Sequence, residues 1–176
     1  MKPTSMIRLT TLALSFFLAG SAVAAPAWWS ANATTAVPHF QADSTLRSRT
    51  FDLGVNGRGV RHANNEIGSV YLYVPVTANN GETFSKIGLR AEDGTVNGFV
   101  RAELFRQPRN AVAGGLVLIG SVMTNNGGFQ FVNAAFVGAF LPHSLDLSQF
   151  TYYVRITLQR NVAADTVTAL DVSLEP

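Results

Sequence analysis

Between Phe150 and Gln159 the chain alternates without a break. Phe150, Tyr152, Val154, Ile156 and Leu158 fall on one parity; Thr151, Tyr153, Arg155, Thr157 and Gln159 fall on the other. β-Branched and aromatic side chains recurring with period two predict a strand with one face on a core and the other in water. Whatever else this chain does, it must supply a second apolar layer to cover that face.

The rest of the sequence offers more strands and no convincing helix. Val70, Leu72, Val74 and Val76 alternate with Tyr71, Tyr73 and Pro75, the proline marking a strand end or an edge. Asn80-Gly81 is a strong turn signal, and Ile87, Leu89 and Ala91 then alternate with Lys86, Gly88 and Arg90. After Asp93-Gly94 come Val100, Ala102 and Leu104 against Arg101, Glu103 and Phe105. Three strands with short connections predict an antiparallel meander. Leu116 to Met123 is apolar on both parities, as in a strand covered on two sides. Gln130 to Phe136 reads as another strand. Near the C-terminus Thr168, Leu170, Val172 and Leu174 alternate with Val167, Ala169, Asp171 and Ser173, which predicts a hairpin with the 150–159 strand. About eight strands between Gly/Asn/Pro turns predict a single all-β antiparallel sandwich, jelly-roll-like, with an immunoglobulin-like order as the alternative.

The N-terminus is of a different kind. Lys2 and Arg8 precede an apolar run from Leu9 to Ala19, and Gly20-Ser21-Ala22-Val23-Ala24 places small residues where a signal peptidase cuts. Residues 1–24 therefore read as a secretory leader, 25–49 as an extended arm and 50–176 as the sandwich. The apolar run is shorter than the roughly 20 residues a membrane span needs, so no stable span is expected after cleavage. Of 13 Lys+Arg, two belong to the leader, and the remaining 11 balance 11 Asp+Glu. A neutral body removes the electrostatic footing for a nucleic-acid partner. The chain has no Cys, which excludes thiol chemistry and a disulfide framework. The expected location is the periplasm or the outside of a bacterial cell.

Val70-Tyr71-Leu72-Tyr73-Val74-Pro75-Val76, Ile87-Gly88-Leu89-Arg90-Ala91-Glu92-Asp93, Val100-Arg101-Ala102-Glu103-Leu104-Phe105-Arg106 and Tyr152-Tyr153-Val154-Arg155-Ile156-Thr157-Leu158 stand in an order that resembles a loose group of secreted bacterial β-sandwich proteins. In that group a similar meander carries acidic residues near its turn, and a Tyr-Tyr-x-Arg strand lies near the C-terminus. The resemblance covers roughly Val70 to Leu174 and implies a jelly-roll-like sandwich. Its motifs are strand patterns, so it implies no site residues.

Signs of catalysis are sparse. No Gly-x-Ser-x-Gly elbow occurs, and His143-Ser144 would point its two side chains oppositely on a strand. Glu66, Glu92, Asp93, Glu103 and Asp146 are carboxylates whose pairing for glycoside hydrolysis sequence spacing does not reveal. His39, His62 and His143 lack zinc-ligand spacing. No cofactor is expected; calcium is the more plausible cation in an exported sandwich, with Glu92, Asp93 and Asn97 as candidate ligands. The stretch lacks the Asp-x-Asp-x-Asp-Gly order and the later Glu, and a plain turn using its Asp and Gly is the preferred reading.

Binding is the better-supported role. Tyr71, Tyr73 and Tyr153 are candidate platforms for a glycan, and Arg58, Arg61 and His62 lie in a polar, glycine-rich stretch suited to an anion or a sugar. The Trp28-Trp29 pair is either a stacking platform or an anchor for the arm, and anchoring is the simpler reading. The sequence thus points to an exported, non-enzymatic binding or surface protein with a glycan or protein partner. The alternatives are a structural or assembly protein of the cell envelope or extracellular matrix, and a small secreted hydrolase.

Overall fold

Alternation along each strand is what makes two sheets close on one core. The computed structural model describes residues 27–38, 51–53, 59–62, 67–94, 97–110, 115–125 and 127–176. Its strands are β1 (Trp29–Asn32), β2 (Val37–Pro38), β3 (Phe51–Leu53), β4 (Val60–His62), β5 (Gly68–Pro75), β6 (Thr83–Phe84), β7 (Lys86–Asp93), β8 (Gly98–Pro108), β9 (Val117–Met123), β10 (Gly128–Ala135), β11 (His143–Ser144), β12 (Phe150–Arg160) and β13 (Val167–Glu175). Among the described residues the only helical pieces are single 3-10 turns at Ala33–Thr35 and Gly138–Phe140, and none is long and apolar enough to cross a membrane. Residues 1–24, the expected leader, and residues 25, 26 and 39–49 of the expected arm lie outside the described residues.

One sheet runs β10-β7-β13-β4-β3, with β1 also paired to β13; the other runs β2-β5-β12-β8-β9. We call these sheets A and B. A two-stranded ribbon, β6 with β11, closes one end. Every pairing is antiparallel. Followed along the chain, β4, β5, β7 and β8 lie alternately in sheets A and B, β9 stays in B, and β10, β12 and β13 alternate again. The resulting orders, β4-β13-β7-β10 facing β5-β12-β8-β9, are those of a jelly roll.

This connectivity corrects the expected meander. β5, β7 and β8 are successive but not neighbours, because β12 lies between β5 and β8 while β7 belongs to the opposite sheet. The predicted C-terminal hairpin fails in the same way: β12 pairs with β5 and β8, whereas β13 pairs with β7, β4 and β1. Turn residues such as Asn80-Gly81, with Gly81 at φ 84°, reverse the chain without saying which sheet it enters next.

The core matches the parity of β12. Val154, Ile156 and Leu158 are fully buried and Tyr152 nearly so. Leu72 and Val74 of β5 and Val100, Ala102 and Leu104 of β8 continue that layer, and Ile87, Leu89 and Ala91 of β7 belong to the layer opposite. Each such Val, Leu or Ile contributes roughly 1.5–3 kcal/mol by leaving water. On β13 the expected parity breaks. A register shift between Ala169 and Asp171 inserts one extra residue, so Val167 and Ala169 are buried before it and Val172 and Leu174 after it. β9 is an edge strand, not one covered on both sides; Leu118 and Met123 are exposed while Ile119 and Val122 are buried. Gly120 on this strand is required by packing, since a Cβ there would sit 2.6 Å from the Phe136 ring.

The described part of the arm is stitched across both sheets. β1 lies against Asp171–Leu174 of β13, and β2 pairs Val37 and Pro38 with Tyr73 and Leu72 of β5. Trp29 is the anchor, buried with its indole N–H donating to Thr77 Oγ1 at 3.2 Å, while Trp28 is 68% exposed. Asn32 caps the turn between the two short strands, accepting from the Thr34 N–H at 2.9 Å.

Candidate functional site

The outward parity of β12 carries Tyr153, Arg155, Thr157 and Gln159, and the strands on either side carry its neighbours. Across sheet B the register sets Val37, Tyr73, Arg155, Glu103 and Ser121 in one row. Tyr71, Thr157, Arg101 and Met123 form the next row, and Pro75, Tyr153, Phe105 and Leu118 the row on the other side. Four aromatic rings, two arginines and one carboxylate therefore share the outer face of sheet B, on which Glu103 and Phe105 are buried and the tyrosines partly exposed. They come from strands far apart in sequence, held together by the backbone ladder.

Arg155 is the hub. Its Nε and Nη2 both donate to Glu103 Oε2, at 3.0 and 2.8 Å, and its guanidinium lies 4.8 Å from the Phe105 ring centre and 5.6 Å from that of Tyr71. Arg101 flanks the same carboxylate, with Nε 3.9 Å from Oε2, and lies 5.1 Å from the Phe99 ring. Tyr153 packs against Tyr73 at 5.2 Å and Phe105 at 5.7 Å between ring centres. Burial works against the charge on Arg155, but the hydrogen bonds and charge of Glu103 outweigh it and raise its pKa. Burial, then the neighbouring Tyr73, lifts the Tyr153 hydroxyl above its ordinary value against the pull of Arg155. Tyr153 thus stays a hydrogen-bond donor at neutral pH.

The residues singled out from sequence divide between the two sheets. Tyr71, Tyr73 and Tyr153 come together on the outer face of sheet B. Arg61 and His62 lie instead on β4 of sheet A, where His62 is 3% exposed and Arg61 pairs across to Thr168. They belong to a strand and not to a loop, and they share no face with the tyrosines; Arg58 lies outside the described residues. Glu92 and Asp93 are consecutive on β7, so Glu92 points to solvent and Asp93 inward. The buried Asp93 carboxylate accepts from Thr124 Oγ1 at 2.7 Å, and Thr124 Oγ1 in turn accepts from the Val100 N–H at 2.9 Å. Asn97 stands at the turn before β8. Glu92 and Asp93 do not converge, and among the described residues no group of three His, Asp or Glu is placed to hold a metal.

Sequence reasoning does not single out Phe105 and Arg155 as site residues, and it offers Glu103 only as one of five carboxylates without a partner. Their parity was visible, but only the β8–β12 register shows that they meet.

A second polar-aromatic cluster occupies one end of the sandwich. Arg106 lies 4.5 Å from the Phe150 ring centre and 4.9 Å from that of Phe140. The Tyr152 hydroxyl accepts from the Asp146 N–H at 3.1 Å and sits 3.2 Å from His143 Nε2. Which of the two donates depends on the imidazole tautomer, since the hydroxyl oxygen can accept a second hydrogen bond. Burial, then the charge of Arg106, holds the His143 pKa below the ordinary 6.5. A folded pKa below the unfolded one means that the unfolded chain binds the extra proton more readily. The contribution of His143 is therefore whole above about pH 6.5 and is lost as pH falls through the folded value. Urea midpoints measured at about pH 7.5 and pH 5 should show an acid-side loss that His143→Gln reduces; an unchanged slope would refute this linkage.

No protein-family model matches the sequence, and no curated protein matches it. Among solved structures the chain is similar to a family 36 carbohydrate-binding module in complex with calcium and xylotriose, at 11% identity over 82% of this chain and 97% of that one, with a TM-score of 0.45. It is similar to the CBM36-1 domain of a multidomain xylanase from the hindgut metagenome of Trinervitermes trinervoides, at 10% identity over 84% and 96%, with a TM-score of 0.46. It is also similar to a family 11 module from Clostridium thermocellum in complex with a β-1,3-1,4-mixed-linked tetrasaccharide, at 14% identity over 84% and 87%, with a TM-score of 0.43. Likeness at this level leaves function to be read from the chain's own residues.

Proposed function

We propose that this protein is an exported, non-enzymatic module that recognises glycans through the outer face of sheet B. The observation that carries the reading is the grouping of Tyr71, Tyr73, Tyr153 and Phe105 around the Arg155–Glu103 pair. The partly exposed tyrosine rings, backed by buried Phe105, offer apolar surface to the C–H faces of a sugar, and the tyrosine hydroxyls and forked arginines offer directed hydrogen bonds to its hydroxyls. Such a face binds by stacking and orientation and does not enclose its ligand. A hydrolytic role finds less support here. Glycoside hydrolysis ordinarily needs two carboxylates across a cleft. Glu103 is the one carboxylate on the described strands of sheet B, and Arg155 already engages it. The leader predicted over residues 1–24 accounts for export to the periplasm or beyond, where a glycan partner would be met.

The test is a glycan array and affinity electrophoresis of the chain lacking residues 1–24. At least one polysaccharide class should be retained. Tyr73→Ala and Tyr153→Ala should each weaken retention about tenfold, equivalent to about 1.4 kcal/mol. Circular dichroism should show both variants folded. Retention that survives the Tyr71, Tyr73 and Tyr153 triple replacement, or a wild-type chain inert to every glycan, would sink the reading.

A further inference from the structure

From Asn110 to Leu145 the sequence contains no Asp, Glu, Lys or Arg. This uncharged stretch supplies β9 and β10, the edge strands of sheets B and A on the same flank of the sandwich. It also supplies much of the exposed apolar surface, with Phe129 66%, Phe131 56%, Val137 52%, Leu116 47%, Met123 47% and Leu118 38% exposed. Soluble proteins ordinarily guard a strand edge with charge, proline or a bulge. β10 has no charged residue, no proline and an unshifted register along its eight residues.

Its hydrogen-bonding phase says which groups are on offer. The Phe136 N–H donates to the Ser85 carbonyl at 2.8 Å, in step with the Ala135–Lys86 register. Even-numbered residues of β10 therefore bond to β7, and Phe129, Phe131, Asn133 and Ala135 turn their N–H and C=O groups to the open edge. Among the described residues no strand takes them up.

We propose that β10 pairs antiparallel with β10 of a second copy of this chain, joining two A sheets across a two-fold axis. Such pairing must match odd residues with odd ones, which a two-fold centred on Gln130 does. Phe129 then faces Phe131 of the other copy, and Phe131 faces Phe129, forming two cross-strand aromatic pairs of the kind that stabilise antiparallel ladders. An uncharged strand brings no like charges together across the axis, and it carries none that would select a charged foreign partner. The axis is normal to sheet A, so both copies turn their B faces the same way.

Sedimentation of the chain lacking residues 1–24 over a range of concentrations tests this without reference to any ligand. A dimer is expected. Phe131→Glu should abolish it at concentrations where the wild type is fully dimeric, with the circular dichroism spectrum unchanged. Phe129→Pro removes an outward N–H that this register pairs with Phe131 of the other copy and should do the same; if it fails to fold, Phe131→Glu decides. A wild-type chain that stays monomeric, a stoichiometry other than two, or a dimer that persists in a folded Phe131→Glu variant would overturn the proposal.

Discussion

Replacing Ile156 by Ala should destabilise the fold by about 2–5 kcal/mol, the range for truncating a large aliphatic side chain in a packed core. Ile156 is fully buried at the middle of β12, itself the middle strand of sheet B, and pairs with Leu72 on one side and Ala102 on the other. Both flanking strands are pinned by their own ladders, so the site has little freedom to collapse into the space left. Against a total stability of about 5–15 kcal/mol this is a large fraction. With a urea m-value of about 2 kcal/mol/M, the unfolding midpoint should fall by about 1–2.5 M. A midpoint within about 0.25 M of wild type would mean that the strand does not lie at the heart of the sandwich.

The second large effect concerns the Arg155–Glu103 pair. Glu103 is 7% exposed, and the Arg155 side chain retains 28% of its accessible surface. Exposed ion pairs couple by about 0.2–1 kcal/mol, and breaking fully buried ones costs about 3–5 kcal/mol. This pair is intermediate and partly screened, so a coupling of about 1–2 kcal/mol is expected from a cycle of Glu103→Ala, Arg155→Ala and the double variant. Arg155→Ala alone should be the worst of the three, since it leaves the buried Glu103 carboxylate with only Arg101 at 3.9 Å and also loses the ring contacts. Thermal unfolding of the four proteins reads this directly. Additivity within about 0.3 kcal/mol would reduce the pair to a surface contact.

Parity was the legible part of this fold. The burial of Tyr152, Val154, Ile156 and Leu158 was readable from alternation alone, as was the shared facing of Tyr71 and Tyr73 on one strand. Neighbours were not legible, because a period of two states which face a side chain takes and nothing about which strand lies beside it. For that reason β5, β7 and β8 read as a meander, although β12 separates β5 from β8. The bulge in β13 was hidden for a related reason: one inserted residue exchanges the faces after Ala169, and Leu170 fits the pattern no worse than Ala169 does. Arg61 and His62 show the opposite failure. A glycine- and asparagine-rich neighbourhood suggested a loop, while three residues, Val60 to His62, suffice to join an existing edge of β13. Glu103, Phe105 and Arg155 required the register, which links residues about fifty positions apart.

The interleaved strand order has a temporal corollary. β13 occupies the interior of sheet A, touching β7 along one side and β1 and β4 along the other, yet the ribosome makes it after every other strand of the sandwich. Until Val167 onward has emerged, sheet A lacks the strand that joins its halves, and the nascent chain has no way to lock shut. A polypeptide so arranged closes only once the final ladder is delivered.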